Sequence, residues 1–135
     1  MSVFVDANVV MYAAGAAHPH QEPSRKLLER IARNELDAAS DAEVLQEFLY
    51  RYWHLRLLNQ GLTLVDHAVR IIPTILPVDK SDAMLARTLL EQHRSLEPRD
   101  AVHAAVMLHH GITQIYTYDR HFETIPGLTR LEPER

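Results

Sequence analysis

Two short apolar runs near opposite ends of the chain each stop at an aspartate, and this arrangement most constrains the fold. Residues 3–5 precede Asp6, and residues 115–118 precede Asp119. Both runs are rich in β-branched and aromatic residues, which predicts strands. Segments with helical periodicity separate them, and such alternation predicts an α/β fold with a parallel sheet. Since parallel strands present their carboxyl ends at one edge, the two aspartates are expected to converge there.

Helical spacing of apolar residues recurs between these two strands. We predict helices over residues 21–34, 40–58, 63–76 (interrupted or ended near Pro73), 82–93 and 98–111, a second strand over 36–39 and a short edge strand over 128–131. Ser40 and Glu43 have the spacing of a capping box, and Pro98 suits the first position of a helix. No repeat, linker or low-complexity segment divides the 135 residues, so we predict one domain over residues 1–135.

Composition excludes several classes of protein. The net charge of −4 argues against a surface coated in basic residues for binding nucleic acid, although a carboxylate metal site would itself contribute negative charge. Without cysteine, the chain can form neither disulfides nor thiolate metal sites. It has no basic leader before Asp6 and nothing close to the roughly 20 apolar residues of a membrane span, so we expect a cytoplasmic protein with no membrane partner.

Four acids stand out by position. Besides the two strand-end aspartates, Asp100 lies in the first turn of its predicted helix, and Glu47 flanks an apolar helical stripe from which it can point into a cleft. Taken singly, Asp6 could cap a helix and Asp119 could belong to a turn. Asp100 could complement the helix dipole, and Glu47 could pair with Arg51 at i,i+4. The metal-site interpretation depends on all four acids meeting.

A cluster of four carboxylates needs protons or cations to persist. Two like charges about 4 Å apart repel by roughly 4 kcal/mol at an intermediate effective dielectric constant. Hard divalent ions prefer oxygen ligands, and Mg²⁺ bridges carboxylates to phosphate oxygens. This chemistry is what phosphodiester hydrolysis requires, because a metal activates water and stabilises charge on the phosphate. The sequence leaves open whether one or two ions bind.

Four segments together resemble a known family, the PIN domain, and within it the VapC-type toxins of toxin–antitoxin pairs. The likeness covers essentially the whole chain. The segments are Val5-Asp6-Ala7-Asn8, Glu47 in a helix after a Ser-Asp start, Arg99-Asp100-Ala101-Val102-His103-Ala104-Ala105, and Thr117-Tyr118-Asp119-Arg120-His121-Phe122.

This resemblance implies a three-layer α/β/α fold with a central parallel five-stranded sheet flanked by helices. It further implies an endoribonuclease dependent on Mg²⁺ or Mn²⁺, with RNA as substrate and a cognate antitoxin as partner. Carried over position by position, the acidic catalytic ligands are Asp6, Glu47, Asp100 and Asp119, with Asn8 and Thr117 as supporting polar residues. Some members have a further acid soon afterwards, and Glu123, which would correspond to it, is not expected to be a ligand.

Other residues near the acids have two interpretations each. Arg51, Arg99, Arg120 and His121 could hold RNA phosphates or could be solvated surface groups. His103 is expected to be packed or to support the ligands rather than to build a zinc site. A second apolar stripe on the helix of Glu47, formed by Leu49, Trp53 and Leu57 with Tyr50 beside it, predicts a homodimer or antitoxin surface.

Three alternatives compete with the toxin nuclease. A haloacid-dehalogenase-like phosphatase would need a second aspartate at the position of Asn8 and a downstream catalytic lysine, whereas Lys26 and Lys80 lie in no convincing motif. A PIN nuclease that processes RNA without being a toxin would share every residue above. A PIN-like interaction module without catalysis would show a gap among the four acids, and there is none.

Overall fold

The computed structural model describes residues 2–134 and places five strands in one sheet. They are β1 (Val3–Val5), β2 (Ala38–Asp41), β3 (Thr74–Leu76), β4 (Gln114–Tyr116) and β5 (Thr129–Leu131). Every neighbouring pair is parallel, in the order β3-β2-β1-β4-β5. The chain winds outward from β1 to β3 and then returns to the other side of β1. The topological switch point, where ligands bind in such sheets, therefore lies between β1 and β4.

Six α-helices and one 3-10 helix connect the strands. They are α1 (Ala7–Ala14), α2 (Gln21–Ala32), α3 (Ala42–His54), α4 (Leu58–Ile71), α5 (Lys80–Gln92), α6 (Pro98–His109) and the 3-10 helix Arg120–Thr124. The helices contact one another mainly in consecutive pairs, α1 with α2, α3 with α4 and α5 with α6. Within residues 2–134, no helix combines the length and apolar character needed to cross a membrane.

The central strands are buried throughout rather than on one face. Phe4, Val5 and Ile115 are fully buried, and Phe4 pairs in register with both Ala39 and Ile115. Helices covering both faces of a parallel sheet produce this continuous apolar pattern. The predicted α/β fold with a five-stranded parallel sheet is confirmed. Packing of the buried strand residues in the core fixes the strand ends near Asp6 and Asp119.

The predicted helix over residues 40–58 was wrong at its start and in its continuity. Ser40 belongs to β2, where its hydroxyl donates to the Val5 carbonyl at 2.6 Å. Asp41 caps α3 instead, accepting from Val44 N at 3.0 Å. Serine and aspartate both favour the N-cap position, so the sequence signal at Ser40 fits its neighbour Asp41 equally well. The helix then ends at His54, because Arg56 adopts a positive φ of 58° before α4 begins.

The predicted helix over residues 63–76 was wrong beyond residue 71. Thr74–Leu76 is β3, paired with β2. A run of three residues after Pro73 with two apolar side chains fits either the end of a helix or a strand. Only the pairing with β2 decides between the two. The helices predicted over 21–34, 82–93 and 98–111, and the strands predicted over 36–39, 115–118 and 128–131, are confirmed to within two residues at each end.

Candidate metal centre

The two strand-end aspartates meet where β1 and β4 lie side by side. Asp6 follows β1 directly and caps α1, since its Oδ1 accepts from Ala7 N at 2.7 Å. Asp119 follows β4 and caps the 3-10 helix, accepting from His121 N at 2.9 Å. Each carboxylate therefore makes the local hydrogen bond that a structural role predicts. The rest of each carboxylate remains available at the common edge of the sheet.

The buried hydroxyl of Thr117 joins both aspartates. It donates to Asp6 Oδ2 at 2.7 Å and accepts from Asn8 Nδ2 at 3.0 Å. It also accepts from Asp119 N at 3.0 Å. Asn8 Oδ1 in turn accepts from Tyr118 N at 3.3 Å. The structure thus places the two residues predicted to be supporting, Asn8 and Thr117, where they hold the acids in position.

Asp100 brings a third carboxylate from the first turn of α6. It is only 8% exposed, and its Oδ2 is the one buried side-chain oxygen or nitrogen within residues 2–134 without a hydrogen-bond partner. Burial first, and then the proximity of Asp119, raise the pKa of Asp100 to about 9. Burial also opposes ionisation of Asp119, but hydrogen bonds from Asp100 and from His121 N lower its pKa. Without a cation the two carboxyls therefore share a proton.

Glu47 reaches the cluster from α3 through a contact with His103. The fully buried His103 ring lies between two carboxylates, with Nδ1 2.8 Å from Asp41 Oδ2 and Nε2 2.6 Å from Glu47 Oε1. The same Nε2 is 3.7 Å from Asp6 Oδ1. His103 therefore orients Glu47 towards Asp6, which agrees with its predicted supporting role.

The charges of this buried group depend on one another. Burial disfavours the charged form of His103, but the surrounding carboxylates of Asp41, Glu47 and Asp6 outweigh it and raise the pKa of His103 well above its usual value. Burial raises the pKa of Asp6, and the positive charge of His103 opposes that rise. The imidazolium thus compensates part of the negative charge that the acids bring together.

An open cleft of about 490 Å³ gives access to the cluster. All four predicted acids line it, together with Asn8, Arg51 and Arg99. Arg120, also predicted to contact phosphate, is exposed in the 3-10 helix and does not line this cleft. A larger groove, of about 690 Å³, is lined by mostly apolar side chains of α1, α2 and α4 and by no acid.

Glu123 is engaged elsewhere. Its Oε1 accepts from Arg130 Nε at 2.9 Å, and Arg130 also donates to Glu132 and to the Thr117 carbonyl. One oxygen of Glu123 is thus held by Arg130, and the expectation that Glu123 is not a ligand stays a prediction.

The residues present fit a divalent metal ion. Two groups of side chains bring nitrogen or oxygen atoms within 4.8 Å of one another. One is Asp100, Asp119 and His121, and the other is Asp6 and Glu47 with His103, whose two ring nitrogens are both held by carboxylates. Most donors are carboxylate oxygens, which suit hard cations. The unpartnered Asp100 Oδ2 is the strongest sign, because a buried oxygen without a donor is costly unless something positive reaches it.

Sequence reasoning missed Asp41 and the bridging position of His103. Asp41 ends β2 as Asp6 follows β1, and placing that strand two residues later would have revealed the likeness. His103 lies three residues after Asp100 on one face of α6, a spacing that brings helical side chains together.

Comparison with known sequences identifies the family. The PIN domain profile matches residues 3–128. Ribonuclease VapC13 of Mycobacterium tuberculosis is 37% identical over 129 residues, which is 96% of this chain and 98% of the relative. Ribonuclease VapC23 of the same species is 38% identical over 120 residues, covering 87% of this chain and 92% of the relative.

Solved structures share the fold. Mycobacterium tuberculosis VapC20, described as a sarcin-ricin loop cleaving toxin, has a TM-score of 0.79 at 20% identity and covers 98% of this chain and 100% of its own. VapBC2 from Rickettsia felis, bound to a DNA fragment from its promoter, has a TM-score of 0.75 at 22% identity, with 99% and 100% covered. The profile match and the near-full-length relatives together show that this chain belongs to the PIN-domain family.

Proposed function

We propose that this chain is a metal-dependent endoribonuclease and the toxin of a toxin–antitoxin pair. The observation that carries the proposal is the convergence of four acids in one open cleft, with a buried Asp100 oxygen that has no partner. The relatives with more than 35% identity are named ribonucleases of the VapC type, and this supports RNA as the substrate. An inactive interaction module would have no reason to keep the complete set of acids.

The proposed ligands are the carboxylates of Asp6, Glu47, Asp100 and Asp119. A bound divalent ion would supply activation of water and stabilisation of negative charge on the phosphate. The chain's own residues prepare that site. Thr117 and Asn8 hold the aspartates of β1 and β4, and His103 holds the Glu47 carboxylate at 2.6 Å.

Mg²⁺ or Mn²⁺ is the proposed cofactor. Carboxylate oxygens dominate the donor set, and both ions accept such ligands while keeping positions for water and phosphate. The cleft is open enough for a phosphodiester backbone to approach. Calorimetric titration with each ion would give the number bound.

Two arginines of the cleft are proposed to hold RNA phosphates. Arg51 and Arg99 line the cleft beside the acids, and the ion pair of Arg99 with Glu97, at 3.6 Å, is largely exposed. Such a pair contributes little and can give way to a phosphate. We propose a single-stranded loop of a structured RNA as the target, because its backbone is accessible. The description of VapC20 as a loop-cleaving toxin supports this class.

The exposed apolar surface of α3 supports a protein partner. Leu49, Tyr50 and Trp53 are 36%, 51% and 62% exposed on α3, whereas Leu57, predicted to continue this stripe, is 43% exposed but lies beyond the end of α3 at His54. An exposed aromatic cluster of this kind marks an interaction site. VapBC2 of Rickettsia felis is a complex of this fold class, so a cognate antitoxin is the proposed occupant, and a homodimer is the other association we propose to test.

Cleavage of total RNA by the purified, antitoxin-free chain tests the nuclease. We expect cutting with Mg²⁺ or Mn²⁺, none with EDTA, and none by Asp100→Asn. Glu91→Gln removes an exposed acid of α5 that pairs with Arg87, and serves as the matched control with full activity. Equal inertness of the folded wild type and Asp100→Asn with both metals would contradict the proposal and favour an interaction module.

Coexpression with the protein encoded beside this gene tests the partner. Trp53→Glu is expected to weaken the complex, because it puts a charge into the apolar patch. Met84→Glu changes a side chain that is 54% exposed on α5, away from the patch, and should leave the complex intact. Sedimentation of the chain without its partner shows whether it forms a homodimer. If Trp53→Glu associates as wild type does in both assays, the apolar surface of α3 is not the binding surface.

A further inference from the structure

We propose that His121 is a metal ligand, so that Asp100, Asp119 and His121 form a mixed nitrogen and oxygen site that favours Mn²⁺ over Mg²⁺. This inference rests on the proposed metal dependence and deepens it. It differs from the sequence prediction, which left His121 as either a contact with RNA phosphate or a solvated surface group. The 3-10 helix that follows Asp119 brings His121 next to the acids.

The backbone fixes His121 beside Asp119. The 3-10 helix begins at Arg120, and its first turn brings His121 N to 2.9 Å from Asp119 Oδ1. The ring Nδ1 then lies 3.3 Å from the same carboxylate oxygen. The capped turn therefore fixes the His121 backbone next to Asp119, and the ring reaches the same carboxylate from there.

The spacing suits ligands of one ion. Ligand atoms of Asp100, Asp119 and His121 all lie within 4.8 Å of one another. Two ligands about 2.1 Å from one octahedral ion lie roughly 3 Å apart when adjacent and about 4.2 Å apart when opposite. The 3.3 Å contact between His121 and Asp119 fits an adjacent pair. Small rotations of the side chains would close the remaining distances.

A second, independent observation points to a cation here. Asp100 is only 8% exposed, and its Oδ2 has no hydrogen-bond partner among residues 2–134. Its neighbour Asp119 is 28% exposed, so the cleft reaches the pair from solvent. A positive ion between them would satisfy the oxygen that the protein leaves without a donor.

His103, the other histidine beside the acids, is not available as a ligand. Both of its ring nitrogens are engaged, Nδ1 with Asp41 at 2.8 Å and Nε2 with Glu47 at 2.6 Å. His121 is 51% exposed, and Asp119 is the one polar partner of its ring among residues 2–134. Only His121 can turn towards a metal without breaking a buried hydrogen bond.

An imidazole ligand changes which ion binds best. Carboxylate and water suit Mg²⁺ and Mn²⁺ alike, whereas imidazole suits transition metals. We therefore expect His121→Asn to weaken Mn²⁺ binding about tenfold, a loss of the size seen when metal sites are disturbed, and to change Mg²⁺ binding less than threefold. Replacing a histidine that only paired with Asp119 would change the binding of both ions equally.

Pulsed electron paramagnetic resonance of Mn²⁺ bound to the full, antitoxin-free chain tests the proposal directly. Wild type should show the nitrogen coupling of a directly bound imidazole, and His121→Asn should lose it. His67→Asn removes an exposed histidine of α4 that belongs to neither ligand group and should keep it. His121→Gln provides a second variant if the first does not fold.

The outcomes separate this inference from the proposed function. Bound Mn²⁺ without nitrogen coupling would overturn the role of His121 and leave the carboxylate site intact. Coupling that persists in both His121 variants would also overturn it and would assign the nitrogen to another histidine. A wild type that binds no Mn²⁺ at millimolar concentration would contradict the metal dependence itself.

Discussion

Replacing Asp100 with asparagine should stabilise the metal-free protein. In the folded chain the pKa of Asp100 is about 9, against 3.8 for an unperturbed aspartate. Between these pH values the unfolded chain binds fewer protons than the folded chain, so stability falls as pH rises through that window. Asparagine has no proton to release and can donate the hydrogen bond that protonated Asp100 gives to Asp119. The variant removes the penalty and keeps the contact.

The size of the effect follows from the same pKa shift. A pH of 7 lies roughly three pH units above the unperturbed pKa of 3.8. At about 1.4 kcal/mol per unit, the raised pKa of Asp100 lowers the free energy of unfolding by about 4 kcal/mol at this pH. Asp119 shares the proton, and its lowered pKa contributes in the opposite direction. We therefore expect Asp100→Asn to unfold with a free energy about 2–4 kcal/mol higher than wild type at pH 7 in EDTA. The difference should be small at pH 4 and largest near pH 9.

Urea unfolding at several pH values, with EDTA and with Mn²⁺, measures this difference. A saturating ion at about 100 times its dissociation constant stabilises wild type by about 2.7 kcal/mol and should not stabilise the variant. The difference in unfolding free energy between the variant and wild type should therefore narrow or change sign when Mn²⁺ is present. Glu91→Gln, an exposed acid, should differ from wild type by less than about 0.5 kcal/mol at every pH. A variant less stable than wild type at pH 8 in EDTA, or a difference independent of pH, would refute the reasoning.

Three further changes have defined outcomes. Thr117→Val leaves Asp6 and Asp119 N without their shared hydroxyl. It should lower the free energy of unfolding in urea by about 1–3 kcal/mol and reduce RNA cleavage. Unchanged stability would show that water replaces the hydroxyl. His103→Leu leaves buried carboxylates unpaired and should cost about 3–5 kcal/mol, and a loss below 1 kcal/mol would contradict its charge-compensating role. Arg99→Ala should weaken RNA binding and reduce the salt-dependence slope by about one, whereas an unchanged slope would exclude a phosphate contact.

Local signals were sufficient for most of the candidate site. Asp6 and Asp119 follow apolar runs that end at the sheet edge, and Asp100 follows a proline that marks a helix start. Each position is determined by a few neighbouring residues, so periodicity and capping reveal it. The sheet also followed from the alternation of elements, because parallel strands need connecting helices.

Non-local contacts could not be predicted in the same way. Asp41 was assigned to a helix because its strand is short, and its contact with His103 spans 62 positions. Nothing in the local pattern of α6 distinguishes a histidine that bridges two carboxylates from one that packs in the core. Likewise, residues 74–76 form a strand only because β2 lies beside them. Tertiary pairing decides such cases, and periodicity does not record it.

The hydroxyl of Thr117 also determines when the cleft can exist. It binds Asp6 across 111 positions of sequence, and Asp119 is held by the same oxygen. A nascent chain emerging from the ribosome has Asp6 and Glu47 long before β4 is synthesised. Contacts of such long range form late in folding. A chain that ends before β4 therefore contains Asp6, Glu47 and Asp100 but lacks Asp119 and the Thr117 hydroxyl, and the cluster of acids is complete only with the finished sheet.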